Sequence, residues 1–244
     1  ENYDGAGMTS PTRMVAQLGS NDGGSYVNTM DYITISTTGN AADFGDQSAN
    51  YIGRNGYSNA VRGVLHGSYQ YPASPNHTNS IEYITIATLG NTQDFGDSSG
   101  RDMGAGMSSS TRGCAGGGYD NGTSTIAATI DYVQIMTTGN AIDFGDLTQK
   151  RRHVQGASNG HGGREGNSGT SITGIVTFTG TTGMAMPSGP TEYRGGRGRG
   201  LFAGGYNPGG NNTIEFIEIA TTGNAKDFGD MRRNSSNAAA FGNS

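Results

Sequence analysis

The chain has 244 residues, a net charge of −5, 44 glycines, one cysteine and a hydrophobic content of 32%. That length suits one large domain. The lone Cys114 excludes an internal disulfide and a multi-cysteine metal site, and the acidic balance argues against general binding of nucleic acid. No apolar run reaches the ~20 residues of a membrane-spanning helix.

In chain order, the first predicted strand is a run of small residues, Gly5 to Ser10, which returns at Gly104 to Ser109. The second is a short apolar run opened by an arginine: Arg13 to Gly19, then Arg62 to Tyr69, Arg112 to Tyr119 and Arg199 to Tyr206. The third and fourth belong to one phrase, Met30-Asp31-Tyr32-Ile33-Thr34-Ile35 through Asp43-Phe44-Gly45-Asp46. It recurs at Ile81 to Asp97, Ile130 to Asp146 and Ile214 to Asp230. A worn copy lies near Ile172 to Gly183. The glycine and asparagine between the third and fourth strands (Gly39 and Asn40 in the first copy) are predicted to supply the tight hairpin turn.

In the third strand Tyr32 and Thr34 point one way, and Ile33 and Ile35 the other. Both faces carry groups that want cover, so the sheets should stack face to face. The turn glycines Gly39, Gly90, Gly139, Gly183 and Gly223 are 51, 49, 44 and 40 residues apart. Four-stranded units of that length, repeated radially, predict an all-β fold, a five-bladed β-propeller with the small-residue strand innermost. The single domain divides at about 1–46, 47–97, 98–146, 147–190 and 191–230. Residues 231–244 read as an extra strand or the start of a further repeat. Because the sequence begins with Glu1, it reads as a processed product or a segment of something longer. Phe44, Phe95, Phe144 and Phe228 should occupy equivalent buried places.

The candidate chemistry is sparse. The recurring acids Asp43 and Asp46, Asp94 and Asp97, Asp143 and Asp146, and Asp227 and Asp230 could chelate calcium or act as acid and base. A glycosidase, however, needs one special pair, and repetition favours a structural role. With Arg13, Arg62, Arg112 and Arg199 they are predicted to form a network of ion pairs and turn caps between blades, with no catalytic residue and no cofactor. The histidines His66, His77, His153 and His161 lack metal-ligand spacing. The Arg-Gly tract from Arg194 to Gly200 runs into a predicted strand, so it is not read as an RNA-binding segment. The worn repeat carries His161, Arg164, Glu165, Glu192 and Tyr193, which form a candidate binding surface.

The diglycines Gly117-Gly118 and Gly204-Gly205 and the aromatics Tyr32, Tyr83, Tyr132 and Phe216 resemble those of kelch-type propeller repeats. Phenylalanine stands where the kelch fourth strand usually carries tryptophan. The phrase from Ile81 to Asp97 resembles repeats of virion proteins from marine bacteriophages, notably cyanophages. That resemblance implies a non-enzymatic structural component of a tail fibre or appendage, extracellular on the virion and active in assembly or host attachment. Its partners would be other virion proteins or copies of itself, with a host-surface glycan as a further ligand. A secreted lectin-like propeller that binds carbohydrate and a glycan-acting propeller enzyme are the alternatives.

Overall fold

The computed structural model describes residues 5–20, 25–70, 72, 77–120, 123–158 and 198–235. Those residues are all-β, and their strands pair antiparallel throughout. The first sheet runs β1 (Ala6–Thr9), β2 (Arg13–Gln17), β3 (Thr29–Thr34) and β4 (Ala42–Asp46), in that order. The second holds β5 (Tyr51–Ile52), β7 (Arg62–Gln70), β8 (His77–Thr85) and β9 (Gln93–Asp97), with β6 (Asn55–Ser58) also paired to β7. The third is β11 (Ala105–Ser108), β12 (Arg112–Gly116), β15 (Thr129–Gln134) and β16 (Ile142–Asp146). Beside it is a small sheet of β10 (Arg101–Asp102), β13 (Tyr119–Asp120) and β14 (Thr125–Ile126). The fourth is β17 (Gln155–Ser158), β18 (Arg199–Ala203), β19 (Asn211–Glu218) and β20 (Lys226–Ser235).

The described residues thus give four repeat sheets. Gln155–Ser158, inside the stretch assigned from sequence to a fourth of five repeats, is instead the opening strand of the sheet that ends at Ser235. It pairs with β18 across residues 159–197. The worn copy near Ile172 to Gly183 lies outside the described residues. The tail reading changes at its start, because β20 runs on to Ser235, which pairs with Asn211.

The Asp-Phe-Gly-Asp phrase is a β-bulge. In each sheet the register shifts opposite it, between Met30 and Asp31, Ile81 and Glu82, Ile130 and Asp131, and Ile214 and Glu215. The bulge needs a residue that tolerates positive φ, and Gly45, Gly96, Gly145 and Gly229 supply it at 140°, 146°, 144° and 139°. In the first three sheets it turns Phe44, Phe95 and Phe144 into the space between sheets. Each ring meets the third-strand aromatic of its own sheet edge-on, as Tyr32 meets Phe44 at 6.1 Å.

The sheets are held together by three cores, one between each successive pair. Met8, Val15, Met30 and Phe44 of the first sheet pack on Leu65, Ile84 and Ile86 of the second. Tyr57, Val64, Ile81 and Phe95 pack on Ala115, Val133 and Ile135 of the third. Met107, Cys114, Ile130 and Phe144 pack on Phe202, Ile217 and Ile219 of the fourth. The small-residue strands lie side by side in the order β1, β6, β11, β17. Glycine is required there: a Cβ on Gly56, Gly106 or Gly156 would sit 2.7, 2.4 or 2.7 Å from the carbonyl oxygen of Gly7, Gly56 or Gly106. Serine hydroxyls tie the same strands, Ser58 Oγ donating to the Thr9 carbonyl at 2.7 Å and Ser108 Oγ to that of Ser58 at 2.7 Å.

Two sequence expectations change. The tight turn after the third strand closes before the Gly-Asn pair is reached, where the amides of Thr37, Thr88, Thr137 and Thr221 donate to the carbonyls of Thr34, Thr85, Gln134 and Glu218. The following Gly-Asn reaches across to the preceding sheet instead: Gly90, Gly139 and Gly223 donate to the carbonyls of Phe44, Phe95 and Phe144 at 2.9, 2.7 and 2.7 Å. And Phe228 is not buried. Phe44, Phe95 and Phe144 are 2%, 2% and 3% exposed, whereas Phe228 is 57% exposed. Its three counterparts are covered by the next sheet's glycine turn, and no described turn reaches Phe228.

Candidate interaction surfaces between and beyond the sheets

The arginines before the second strands act across the interfaces. Arg13, Arg62 and Arg112 donate to the carbonyls of Ile86, Ile135 and Ile219 in the following sheet, at 2.8, 3.0 and 2.9 Å. Their guanidinium groups lie 4.4, 4.0 and 4.2 Å over the rings of Tyr32, Tyr83 and Tyr132. Arg199, in the last sheet, stacks 4.6 Å over Phe216 and pairs at 2.7 Å with the half-exposed Glu218.

The recurring aspartates do not complete a charge network with those arginines. Their side chains are exposed, apart from the half-exposed Asp46, and the ion pairs among the described residues involve other acids. The Asp227 carboxylate caps the Gly229 amide at 3.2 Å. Toward the next sheet the phrase contributes its backbone: the amides of Asp46, Asp97 and Asp146 donate to Oδ1 of Asn91, Asn140 and Asn224, at 3.0, 3.0 and 3.1 Å. Among the described residues no cluster of three or more His, Cys, Asp or Glu is placed to hold a metal ion.

Buried charges lie elsewhere, at positions that the sequence did not single out. Arg54, Arg101 and Arg151 lie just before the small-residue strands β6, β11 and β17, Arg101 within the short strand β10. They pair with Glu82, Asp131 and Glu215 at 2.9, 2.7 and 2.9 Å. For Arg151 this is a charge contact without hydrogen-bond alignment. Each arginine also serves main-chain carbonyls at a strand turn: Gly67 and Ser80 for Arg54, Gly117 and Thr129 for Arg101, Gly204 and Thr213 for Arg151. A hydroxyl two residues past the preceding Asp-Phe-Gly-Asp phrase completes each carboxylate: Ser48 on Glu82, Ser99 on Asp131 and Thr148 on Glu215. Burial pushes the Glu82 and Asp131 carboxyls up, but the adjoining guanidinium and these hydrogen bonds together outweigh it. Both end below the usual carboxylate range. The legible signal was an acid at the same place in the third strand of each copy.

His66 lies between two of these pairs. Its Nδ1 is 3.0 Å from the Tyr57 hydroxyl. Burial is the main reason its pKa falls to about 4; Asp131 opposes the shift, and Arg101 and Arg54 reinforce it. Burial also raises the Tyr57 hydroxyl well above its ordinary value and takes the Cys114 thiol up to about 12. These groups are sealed inside the sheets and present no reactive atom to solvent.

Open clefts lie among the described residues. One of about 210 Å³ is walled by the small-residue strands of all four sheets, from Gly7 to Ser158. One of about 250 Å³ lies beside Tyr83 and Asn91, and one of about 640 Å³ lies between Asp120, Lys150 and Asn224. The sequence-derived binding surface of His161, Arg164, Glu165, Glu192 and Tyr193 lies outside the described residues. Exposed large apolar side chains occur in every sheet's repeat, Val61, Leu89, Met136 and Ile142 among them, but those at the two ends of the stack occupy places that are buried in the other sheets. Ile33 and Ile35 of the first sheet are 39% and 53% exposed, while their counterparts Ile84 and Ile86, Val133 and Ile135, and Ile217 and Ile219 are buried. Phe228 stands on the opposite end. No family model matches the chain, and no curated protein matches it.

Proposed function

We propose that this chain is a non-enzymatic structural module of a bacteriophage virion, a tail-fibre or appendage component that works in assembly or host-surface attachment. The arrangement proposed for it is an open, propeller-like arc of kelch-like sheets, with the small-residue strands toward the axis. A closed five-bladed ring would need a fifth sheet from residues 159–197. The observation that carries the reading is the threefold recurrence of one sheet-to-sheet interface. Guanidinium-to-carbonyl, amide-to-asparagine and glycine-to-carbonyl bonds fall at equivalent atoms each time. The buried charges are engaged in the same framework, each carboxylate held by an arginine and a hydroxyl. Such a chain is organised to stack, and the phage-like repeat phrase supports a virion as the setting.

The test is electron cryomicroscopy of virions from the phage that carries this sequence, with the chain traced in the map. Density for the sheets in a fibre or appendage is the expected result. Particles without it, together with hydrolysis of host glycans by the purified chain, would replace this reading with the enzyme. Glycan binding by the free, secreted chain would replace it with the lectin.

A further inference from the structure

We infer that the exposed face of the fourth sheet docks on the exposed face of the first sheet of a second copy of this chain, head to tail, repeating the internal interface. This names the partner of the assembly module proposed above and rests on that reading. Four sheets make three interfaces, and the two unused halves are different and complementary. A Cβ on Gly45, Gly96 or Gly145 would strike the next sheet's turn glycine at about 2.5 Å, whereas one on Gly229 would meet nothing within 4 Å. The turn that would fill that space is Gly39-Asn40, which is exposed on the first sheet. Arg199 likewise stands where Arg13, Arg62 and Arg112 reach the following sheet's isoleucine carbonyl. The corresponding carbonyl of the first sheet is that of Ile35.

Side-chain size argues that these two ends meet. At each internal interface a large side chain of the small-residue strand lies over a glycine of the next sheet. A Cβ on Gly63, Gly113 or Gly200 would come within 2.6, 2.0 or 1.9 Å of Met8, Tyr57 or Met107. At the ends the sizes are exchanged together. The fourth sheet has Ala157 in the large position, and the first has Met14, 37% exposed, in the glycine position. A small residue opposite a large one preserves the volume that the interface must fill.

Charge points the same way. The hydroxyl that caps each internal carboxylate is Ser48, Ser99 or Thr148. The residue two past Asp230 is Arg232, and the acid waiting at the equivalent place on the first sheet is Asp31. A contact that joins unlike faces is heterologous, so it propagates into a filament or closes into a ring of copies.

The experiment is sedimentation of the full chain across a wide concentration range, with variants changed at the exposed Phe228, Ile35 and Met14 and at the half-buried Ala157. The wild type is expected to grow stepwise in mass with concentration. Phe228→Ser and Ile35→Ser should each lower the association constant about tenfold or more, because every contact uses one of each end. Mixed together, the two variants should form a one-to-one dimer and nothing larger. Ala157→Met should weaken association, and adding Met14→Gly should restore it by recreating the Met107–Gly200 arrangement. Wild type that stays monomeric at every concentration would overturn the inference, whether residues 159–197 or an unlike partner covers the ends. So would self-association of either single variant at wild-type strength. The virion reading stands or falls separately, on the location of the chain in particles.

Discussion

The strands β9 and β20 carry the same Asp-Phe-Gly-Asp phrase, the same bulge and the same edge-on aromatic pair, yet Phe95 is buried and Phe228 is not. The difference is the neighbour. Phe95 is roofed by the Gly139 turn and by Ile135 of the next sheet, and Phe228 has no described sheet beyond it. A repeat sequence therefore specifies half of an interface, and its energy is realised only where a second half arrives.

Replacing each residue in turn should break the comparison. Phe95→Ala, measured by denaturant unfolding of dilute chain, should cost about 3–5 kcal/mol through lost burial and a cavity. Phe228→Ala under the same conditions should cost less than about 1 kcal/mol, in the range of exposed substitutions. The arginines sharpen the same contrast. Arg151→Met strands the fully buried Glu215 and should destabilise by about 3–5 kcal/mol, whereas Arg199→Met removes an exposed pair and should cost about 0–1 kcal/mol.

Acid should act on the internal interfaces first. His66 is held neutral, with a pKa of about 4 against an ordinary 6.5. Between those values the unfolded chain binds the extra proton, so stability rises with pH across that window. The contribution is complete above pH 6.5 and is lost as pH falls toward 4, by about 3 kcal/mol. Glu82 and Asp131, whose folded pKa values are depressed, extend the loss below their ordinary values of 4.5 and 3.8. His66→Gln should flatten the melting-temperature profile between pH 4 and 6.5 and leave the steeper acid limb. The smallest contrast is between asparagines. Asn140→Ala frees the Asp97 amide and should cost about 1 kcal/mol, while Asn40→Ala in dilute chain should cost close to nothing.

Much of this was legible because it rests on spacing. The period-two pattern of Tyr32 to Ile35 and the arginine that opens each second strand mark strands, and the all-β sheets follow from them. The arginines' partners did not, because they are carbonyls of the next sheet and ring faces rather than the recurring aspartates. The Gly-Asn pair was misread because a hairpin turn and a latch onto another sheet both favour glycine, and local sequence does not say which sheet is near. The buried arginines were hidden by reach. Arg101 and Arg151 sit five residues before Gly106 and Gly156, but Arg54 sits two before Gly56. A long guanidinium arrives at equivalent carbonyls from either backbone position, so an alignment on glycines does not superpose them. The assignment of Gln155–Ser158 to the last sheet was hidden by the stretch 159–197, which separates strands adjacent in every other copy.

Amide hydrogen exchange of dilute chain, resolved residue by residue, tests the shared interface most directly. The amides of Gly90, Gly139 and Gly223, which donate to the preceding sheet, should be strongly protected, and that of Gly39 should exchange at the rate of an exposed turn. Raising the concentration should bring Gly39 toward the other three. Equal protection of all four glycines in a dilute monomer would contradict the account, because the two ends of the stack would then already meet within one chain.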